Sequence, residues 1–155
     1  KQPSKIMDLE KMARDLRAKF TVYGNANLEI LEARETFKVR MSLRPETENH
    51  LKMMHAAYLF AGGEFLGGLV PMVHLAKPDK FQPVVRDLKI EFKAPAFSAV
   101  TAKTEFSQDQ ADEMNAALDK EGRYDFTLLA ELKDQSEKLV ARTTTNYAIR
   151  NFVGG

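Results

Sequence analysis

The sequence predicts a single α+β domain in which an antiparallel sheet of about five or six strands covers one long apolar helix. Two observations lead to this class. Five segments alternate apolar and polar residues with a period of two, so each predicted strand has one apolar face. The longest apolar segment, Ala56 to Val70, follows the first of these strands and is the one element able to cover their apolar side. At 155 residues the chain is long enough for one such core and short for two.

An amphipathic helix is predicted over residues 1–21, followed by a core over residues 36–151. Pro3 and Ser4 stand at its expected start. Its apolar residues recur at helical spacing: Ile6, Leu9, Met12 or Ala13, Leu16 and Phe20. A further strand between Val22 and Ala33 is indicated only weakly.

The strands of the core are predicted from their alternation, which covers residues 36–43, 87–93, 100–106, 124–132 and 139–149. The second and third of these are expected to be antiparallel neighbours, and the last two are expected to form a hairpin. Between the third and fourth, Ser107 and Gln110 have the spacing of a capping box, which predicts a short peripheral helix ending at Gly122.

The composition excludes several kinds of function. Lys and Arg number 23 against 22 Asp and Glu, so no overall charge would recruit nucleic acid or an anionic membrane. The absence of cysteine excludes thiol nucleophiles and thiolate metal sites. The three histidines are not at metal-ligand spacing, so no metal is expected. An amphipathic start without a signal peptide suggests a cytoplasmic protein.

The long helix has two different faces at 100° per residue. Its large residues share one side: Tyr58, Leu59, Phe65, Leu66, Leu69 and Val70. Its small residues share the other with one acid: Ala57, Ala61, Glu64, Gly67 and Gly68. The large side can fill the concave face of the sheet, and the small side permits close approach of a second subunit, which predicts a homodimer. The alternative is that the glycines only let the helix touch the sheet. Because an acid and four glycines interrupt the apolar run, no membrane span is expected.

Glu64 is the only charged residue between Lys52 and Lys77. Burial disfavours an ionised carboxylate and raises its pKa, which suits a general base or nucleophile at a subunit cleft. The alternative is an acid that is simply hydrogen-bonded at an interface.

Polar groups also precede the helix. Asn49 and His55 could orient a substrate or water, although a single histidine at a helix start is more often structural. The first helical N–H groups, at Ala56 and Ala57, lack acceptors within the helix and could polarise a carbonyl oxygen.

Asn49, His55 six residues later, Ala56-Ala57, and Glu64 nine residues after the histidine together resemble the active-site segment of hot-dog-fold acyl-CoA thioesterases. The segment 84–95 is similar to the strand that follows the central helix in that family. The resemblance covers about residues 36–151. It is closest to the phenylacetyl-CoA-type thioesterases and to a related uncharacterised thioesterase-like group.

This resemblance implies hydrolysis of an acyl-CoA to a free acid and coenzyme A, with no cofactor besides the coenzyme A of the substrate. The thioester carbonyl would rest near Ala56 and Ala57, and Glu64 of the partner subunit would activate water or attack the carbonyl. Asn49 would hold the water or the loop, and His55 would shape the carbonyl site. A homodimer is implied, with a tetramer as the open alternative.

Two departures from the family pattern keep other functions open. The family often has a glycine pair where this chain has Ala56-Ala57, and a glycine where Lys52 stands. The added methyl groups favour, as one alternative, a non-catalytic acyl or acyl-CoA binding protein. A hot-dog hydratase or dehydratase is a further alternative, but the motifs of those families are missing here.

Overall fold

The computed structural model describes residues 7–154, which form four helices and six strands. The helices are α1 (Leu9–Lys19), α2 (Thr21–Asn25), α3 (Ala56–His74) and α4 (Gln108–Glu121). The strands are β1 (Glu29–Ala33), β2 (Thr36–Met41), β3 (Gln82–Phe92), β4 (Val100–Glu105), β5 (Tyr124–Lys133) and β6 (Leu139–Arg150).

All six strands form one antiparallel sheet in the order β1-β2-β4-β5-β6-β3. The apolar side of the sheet curves around α3, which contacts every strand. This is the predicted α+β architecture, with a helix enclosed by a sheet. The predicted hairpin of β5 and β6 is confirmed.

The prediction that the strands near residues 90 and 103 are neighbours is wrong. β3 pairs with β6 at the edge of the sheet, whereas β4 lies between β2 and β5. Alternation of apolar and polar residues fixes which face a strand buries, but it carries no information about which strand lies beside it. The segment after Pro95 carries the chain across the fold and not into a hairpin.

The amino-terminal region differs from the prediction in its details. Within the described residues α1 begins at Leu9, where the Asp8 side chain accepts a hydrogen bond from the Lys11 N–H. The expected start at Pro3 and Ser4 lies outside the described residues. The weak strand prediction over 22–33 is confirmed only in its second half, as β1.

α4 begins with the predicted capping box, and Gly122 ends it in the left-handed conformation at a φ of 72°. Three apolar residues of α4 pack against the core: Ala111, Met114 and Leu118. By length and composition α3 alone among the described helices could cross a membrane, but 50% of its most apolar window is buried inside the fold. A helix covered in this way has the environment of a globular core.

Three glycines of α3 allow the helix to touch the sheet. A Cβ on Gly62 would lie 2.2 Å from the Met41 side chain, and one on Gly63 would lie 2.5 Å from that of Thr143. A Cβ on Gly67 would lie 1.7 Å from the Tyr147 ring. Gly67 was predicted to lie on the outward face, and that placement is wrong. Gly68 alone of the four has nothing within 4 Å.

Candidate active site

The loop before α3 is shaped by the Asn49 side chain. Its Oδ1 accepts hydrogen bonds from the backbone N–H groups of Leu51 (2.8 Å) and Met53 (3.1 Å). Lys52, between them, has a φ of 63°, in the left-handed region that favours glycine. The position where a glycine is common in the family therefore keeps the glycine-type backbone, although a lysine occupies it.

His55 is the N-cap residue of α3. Its Nδ1 accepts a hydrogen bond from the Ala57 N–H at 3.0 Å, so this N–H is not free. The Ala56 N–H, by contrast, has no hydrogen-bond acceptor within residues 7–154. Of the two donors singled out in the sequence, only Ala56 is available to a ligand without a rearrangement.

A cavity of about 500 Å³ opens beside this helix start, and we call it the helix-start cavity. It is lined by Asn49, Met53, Met54, Ala56, Leu59, Phe92 and residues 93–96. Lys93 is the single charged residue of this lining, and it pairs with Glu91 at 3.5 Å. An apolar cavity beside a few polar groups has the character of a small-molecule site.

Glu64 lies farther along α3, half-buried, in an environment that penalises its charge. Burial raises the pKa of its carboxyl above the ordinary value. Within residues 7–154 the carboxylate has no hydrogen-bond donor and no ion-pair partner. A carboxylate in this environment either pairs with a group from another molecule or acts as a catalytic acid or base.

A second cavity of about 200 Å³ lies beside Glu64, and we call it the Glu64 cavity. It is lined by Tyr23, Glu64, Gly67, Gly68, Pro83, Val85 and Tyr147. The Tyr147 hydroxyl donates a hydrogen bond to the Glu64 carbonyl oxygen at 2.7 Å, and burial raises the pKa of Tyr147. The backbone at Glu64 is therefore tied to the sheet while its side chain remains free.

Sequence reasoning missed Tyr23 and Tyr147. Tyr147 lies within the predicted strand 139–149, but nothing in the alternation of β6 connects it with Glu64. Tyr23 lies on the short helix α2, in a segment whose sequence pattern is weak. The only available signal was that a tyrosine hydroxyl needs a polar partner when its ring is buried.

The two parts of the candidate site are separate within one chain. Asn49, His55, Ala56 and Ala57 lie together at the start of α3, whereas Glu64 comes eight residues after Ala56. At a helical rise of 1.5 Å per residue this separates the two by about 12 Å along the axis. A single thioester group cannot touch both within one chain.

The helix face that carries Glu64 is open and largely apolar. It contains Ala57, Phe60, Ala61, Glu64, Gly68 and Met72, and of these Phe60 is 42% and Met72 is 50% exposed. We call this set the open face of α3. β3, an eleven-residue edge strand, borders it and exposes Val84, Val85 and Phe92. Large apolar patches beside an unpaired edge strand are typical of interaction surfaces.

Other features do not compete with these two cavities. A cavity of about 590 Å³ lies on the outer face of the sheet, where Glu131 and Arg142 pair at 3.7 Å. Its charged groups are already paired or exposed.

Among residues 7–154 no group of three or more His, Cys, Asp or Glu side chains could hold a metal ion.

The architecture, with α3 inside a single antiparallel sheet, is the hot-dog fold that the resemblance implied. The chain belongs to the family described as a domain of unknown function (DUF4442), whose profile matches residues 12–149. No curated protein matches the sequence.

Solved structures share this fold at low sequence identity. A Pseudomonas aeruginosa protein of unknown function, described as a probable thioesterase, matches with a TM-score of 0.81 and 22% identity over 91% of this chain and 95% of that one. A Haemophilus influenzae thioesterase matches with a TM-score of 0.74 and 16% identity over 96% and 94%. A Chlorobaculum tepidum protein of unknown function gives 0.74 and 15% over 92% and 96%. These similarities establish the fold.

Proposed function

We propose that the protein is a homodimeric acyl-CoA thioesterase that hydrolyses an acyl thioester to a free acid and coenzyme A. The observation that carries this proposal is the Glu64 carboxylate on the open face of α3, which is half-buried and has no polar partner within residues 7–154. The names of the structural neighbours, among them a probable thioesterase, support the same reaction class.

A dimer would bring the two separated halves of the site together. If the open face of α3 and the edge strand β3 pack against their copies about a twofold axis, Glu64 of one subunit can approach the helix start of the other. Such an interface is self-complementary, so each dimer has two sites. It would also cover the exposed Phe60, Met72 and Val84 side chains.

Each residue then has a chemical task. The thioester carbonyl oxygen accepts a hydrogen bond from the Ala56 N–H at the positive end of the helix. Glu64 of the partner takes a proton from water as the water oxygen adds to the carbonyl carbon. The tetrahedral intermediate collapses by breaking its C–S bond, and the coenzyme A thiolate receives the proton from Glu64. Asn49 holds the loop, and His55 fixes the Ala57 N–H.

The acyl chain is assigned to the helix-start cavity. This cavity adjoins Ala56, where the carbonyl would bind, and its walls include Met53, Leu59 and Phe92. Flexible thioether and aromatic walls suit an apolar acyl group of variable shape.

The direct test is a panel of acyl-CoAs of varied chain length and aromaticity, with release of free thiol as the readout. Glu64→Gln is expected to lower kcat by at least about 10²-fold because the general base is lost. Glu121→Gln, at an exposed carboxylate near the end of α4, is the matched control and should retain full activity. Hydrolysis at the parent rate by Glu64→Gln would contradict the assignment of Glu64.

A substitution at the helix start tests the carbonyl site. Ala56→Pro removes the free N–H, while proline is well tolerated at the first position of a helix. The preceding residue, His55, already has the extended conformation that proline requires, with ψ at 141°. The expected loss is about 10²- to 10³-fold in kcat with an unchanged circular dichroism spectrum.

Mixing the two inactive variants tests whether the site is shared. A heterodimer of Glu64→Gln and Ala56→Pro chains would contain one site with both defects and one intact site. After subunit exchange an equal mixture should recover about a quarter of the parent activity. No recovery from a mixture that demonstrably exchanges subunits would place both residues in a site within one chain, against the proposal.

One observation favours a second candidate, a non-catalytic acyl-CoA binding protein. Because the Ala57 N–H is committed to His55, a single backbone donor remains where two could act. Acyl-CoA binding measured by calorimetry without any release of thiol, in the parent as well as in Glu64→Gln, would identify that function.

A further inference from the structure

One wall of the Glu64 cavity comes from the amino-terminal region outside the central helix and sheet. Tyr23, on α2, lines this cavity together with Glu64 and Tyr147. Its ring packs edge-on against Phe65 of α3 at a centroid distance of 4.8 Å and against Phe20 at 5.7 Å. The ring is therefore held on both sides, and its orientation relative to α3 is defined.

The short helix that carries Tyr23 is fixed at several points. The Arg44 side chain donates hydrogen bonds to the carbonyl oxygens of Gly24 (3.3 Å) and Asn25 (3.4 Å). The Asn25 side chain donates to the Tyr58 hydroxyl of α3 at 3.1 Å. A Cβ on Gly24 would lie 2.8 Å from the Arg17 carbonyl oxygen, so α1 approaches α2 closely. A five-residue helix is unstable by itself, and these contacts hold it against α3.

The Tyr23 hydroxyl is a donor without an acceptor. Within residues 7–154 it makes no hydrogen bond, whereas the Tyr147 hydroxyl is committed to the Glu64 carbonyl oxygen. Burial, and then the nearby Glu64 charge, raise the pKa of Tyr23 to about 12, so it stays protonated at neutral pH. Tyr23 and Glu64, whose side-chain oxygens make no hydrogen bond within residues 7–154, thus both line one cavity of about 200 Å³, which has room for water.

We propose that Tyr23 is a positioning residue for the attacking water: its hydroxyl donates a hydrogen bond to the water oxygen while the same water donates to the Glu64 carboxylate. The water is then held at two points, and a second lone pair of its oxygen remains for the thioester carbon. This inference rests on the proposed thioesterase function. It gives α2 a role in the reaction besides packing.

The test removes the hydroxyl and keeps the ring. Tyr23→Phe preserves the contacts with Phe65 and Phe20, so the fold should be unchanged. We expect kcat to fall about tenfold, the value of one hydrogen bond, with KM unchanged. Tyr124→Phe is the matched control, because Tyr124 is also half-buried but does not line the Glu64 cavity. Equal loss in both variants, or no loss in Tyr23→Phe, would overturn the proposal.

A measurement without substrate separates this inference from the proposed function. The Glu64 carboxyl is titrated by carbon-13 NMR of glutamate-labelled protein, with Glu64→Gln to assign the signal. Loss of the Tyr23 hydroxyl should raise the pKa of Glu64, because the water that stabilises the carboxylate is less well held. A raised pKa in a protein that hydrolyses no acyl-CoA would support the link and refute the thioesterase proposal. An unchanged pKa with unchanged kcat would refute the link alone.

Discussion

The two faces of α3 use the same residue types for different purposes. On the face toward the sheet, glycines remove the side chains that would collide with Met41, Thr143 and Tyr147. On the open face, a Cβ at Gly68 would meet nothing within 4 Å in the described part of the chain. Gly68 lies one turn after Glu64, whose carboxylate has no polar partner among the same residues. Contacts with the sheet explain the glycines on the face toward the sheet, but they do not explain Gly68 on the open face.

This difference distinguishes glycines that the fold of the chain requires from a glycine that the contacts within the chain do not explain. A glycine in a helix interior costs about 1 kcal/mol relative to alanine, and close packing against the sheet offsets that cost at Gly62, Gly63 and Gly67. At Gly68 no described residue makes such a contact. The open face is therefore the region where the proposed partner subunit would supply contacts to Gly68.

The largest effect is predicted for a substitution on the face of α3 that packs against the sheet. Gly67→Ala would place a methyl group inside the Tyr147 ring, so the ring must move and its hydrogen bond to the Glu64 carbonyl oxygen is lost. We expect the free energy of unfolding to fall by about 3 kcal/mol. Urea denaturation followed by circular dichroism measures this quantity.

A double variant controls for helix propensity at the same position. In a Tyr147→Ala background the ring is absent, so Gly67→Ala should no longer destabilise the protein. The difference between the two backgrounds isolates the steric contact. If Gly67→Ala has the same effect in both backgrounds, the collision with Tyr147 is not the reason for the glycine.

The sequence predicts the elements of the fold better than their arrangement. The alternation in β2, β4, β5 and β6 is strong because each strand has one face on the core. The neighbours of β3 were not predictable, because the pairing with β6 is set by the path of the chain across the sheet. Similarly, α2 and β1 are short and lie in a segment with no clear period.

The candidate site was predicted in its residue types and only partly in its geometry. A lone acid in an apolar helix identified Glu64, and the helix start identified Asn49 and His55. The hydrogen bond from the Ala57 N–H to His55 could not be foreseen, since it depends on the orientation of the imidazole ring. The approach of Tyr23 depends on tertiary contacts of α2, and no local pattern encodes it.

A charged substitution on the open face of α3 should disrupt the proposed dimer. Phe60→Lys places a charge at the centre of the proposed dimer interface, where an aromatic anchor contributes about 2 kcal/mol. We expect the dimer to dissociate at least about thirtyfold more readily and activity to fall with it. Light scattering after size-exclusion chromatography at micromolar concentration measures the mass.

A second exposed apolar residue is the control for this charge. Leu129, 70% exposed, lies on the outer face of the sheet, away from the open face of α3. Leu129→Lys should leave the dimer intact. If Leu129→Lys dissociates the dimer and Phe60→Lys does not, the subunits associate through the outer face of the sheet.

The stability of the protein at different pH values reports on the environment of Glu64. Its pKa is raised in the folded chain by burial, so folding favours the protonated form. The stability that Glu64 contributes is therefore present below its ordinary value of 4.5 and is lost as the pH rises through the folded-state value. Relative to the parent, Glu64→Gln should become more stable as the pH rises across this window. Thermal unfolding at several pH values measures the difference, and parallel curves would indicate an unshifted carboxyl.

The same group should set the acid limb of the activity profile. A general base works only when it is ionised. Because the pKa of Glu64 is raised, kcat/KM should begin to fall on acidification while the pH is still above 4.5. A limb at the ordinary glutamate value would mean that the carboxylate is solvated in the active dimer.

The smallest effect is expected for a substitution at Gly68. This substitution tests whether a second subunit covers the open face of α3. Among residues 7–154 an alanine Cβ at this position meets no atom within 4 Å, so Gly68→Ala should raise the free energy of unfolding of the monomer by about 1 kcal/mol through helix propensity. In the proposed dimer the same methyl group faces the partner backbone and should weaken association. Unfolding measured at low and high protein concentration resolves the two effects, because only the second depends on concentration. A variant that is stabilised equally at every concentration would show that no second subunit approaches Gly68.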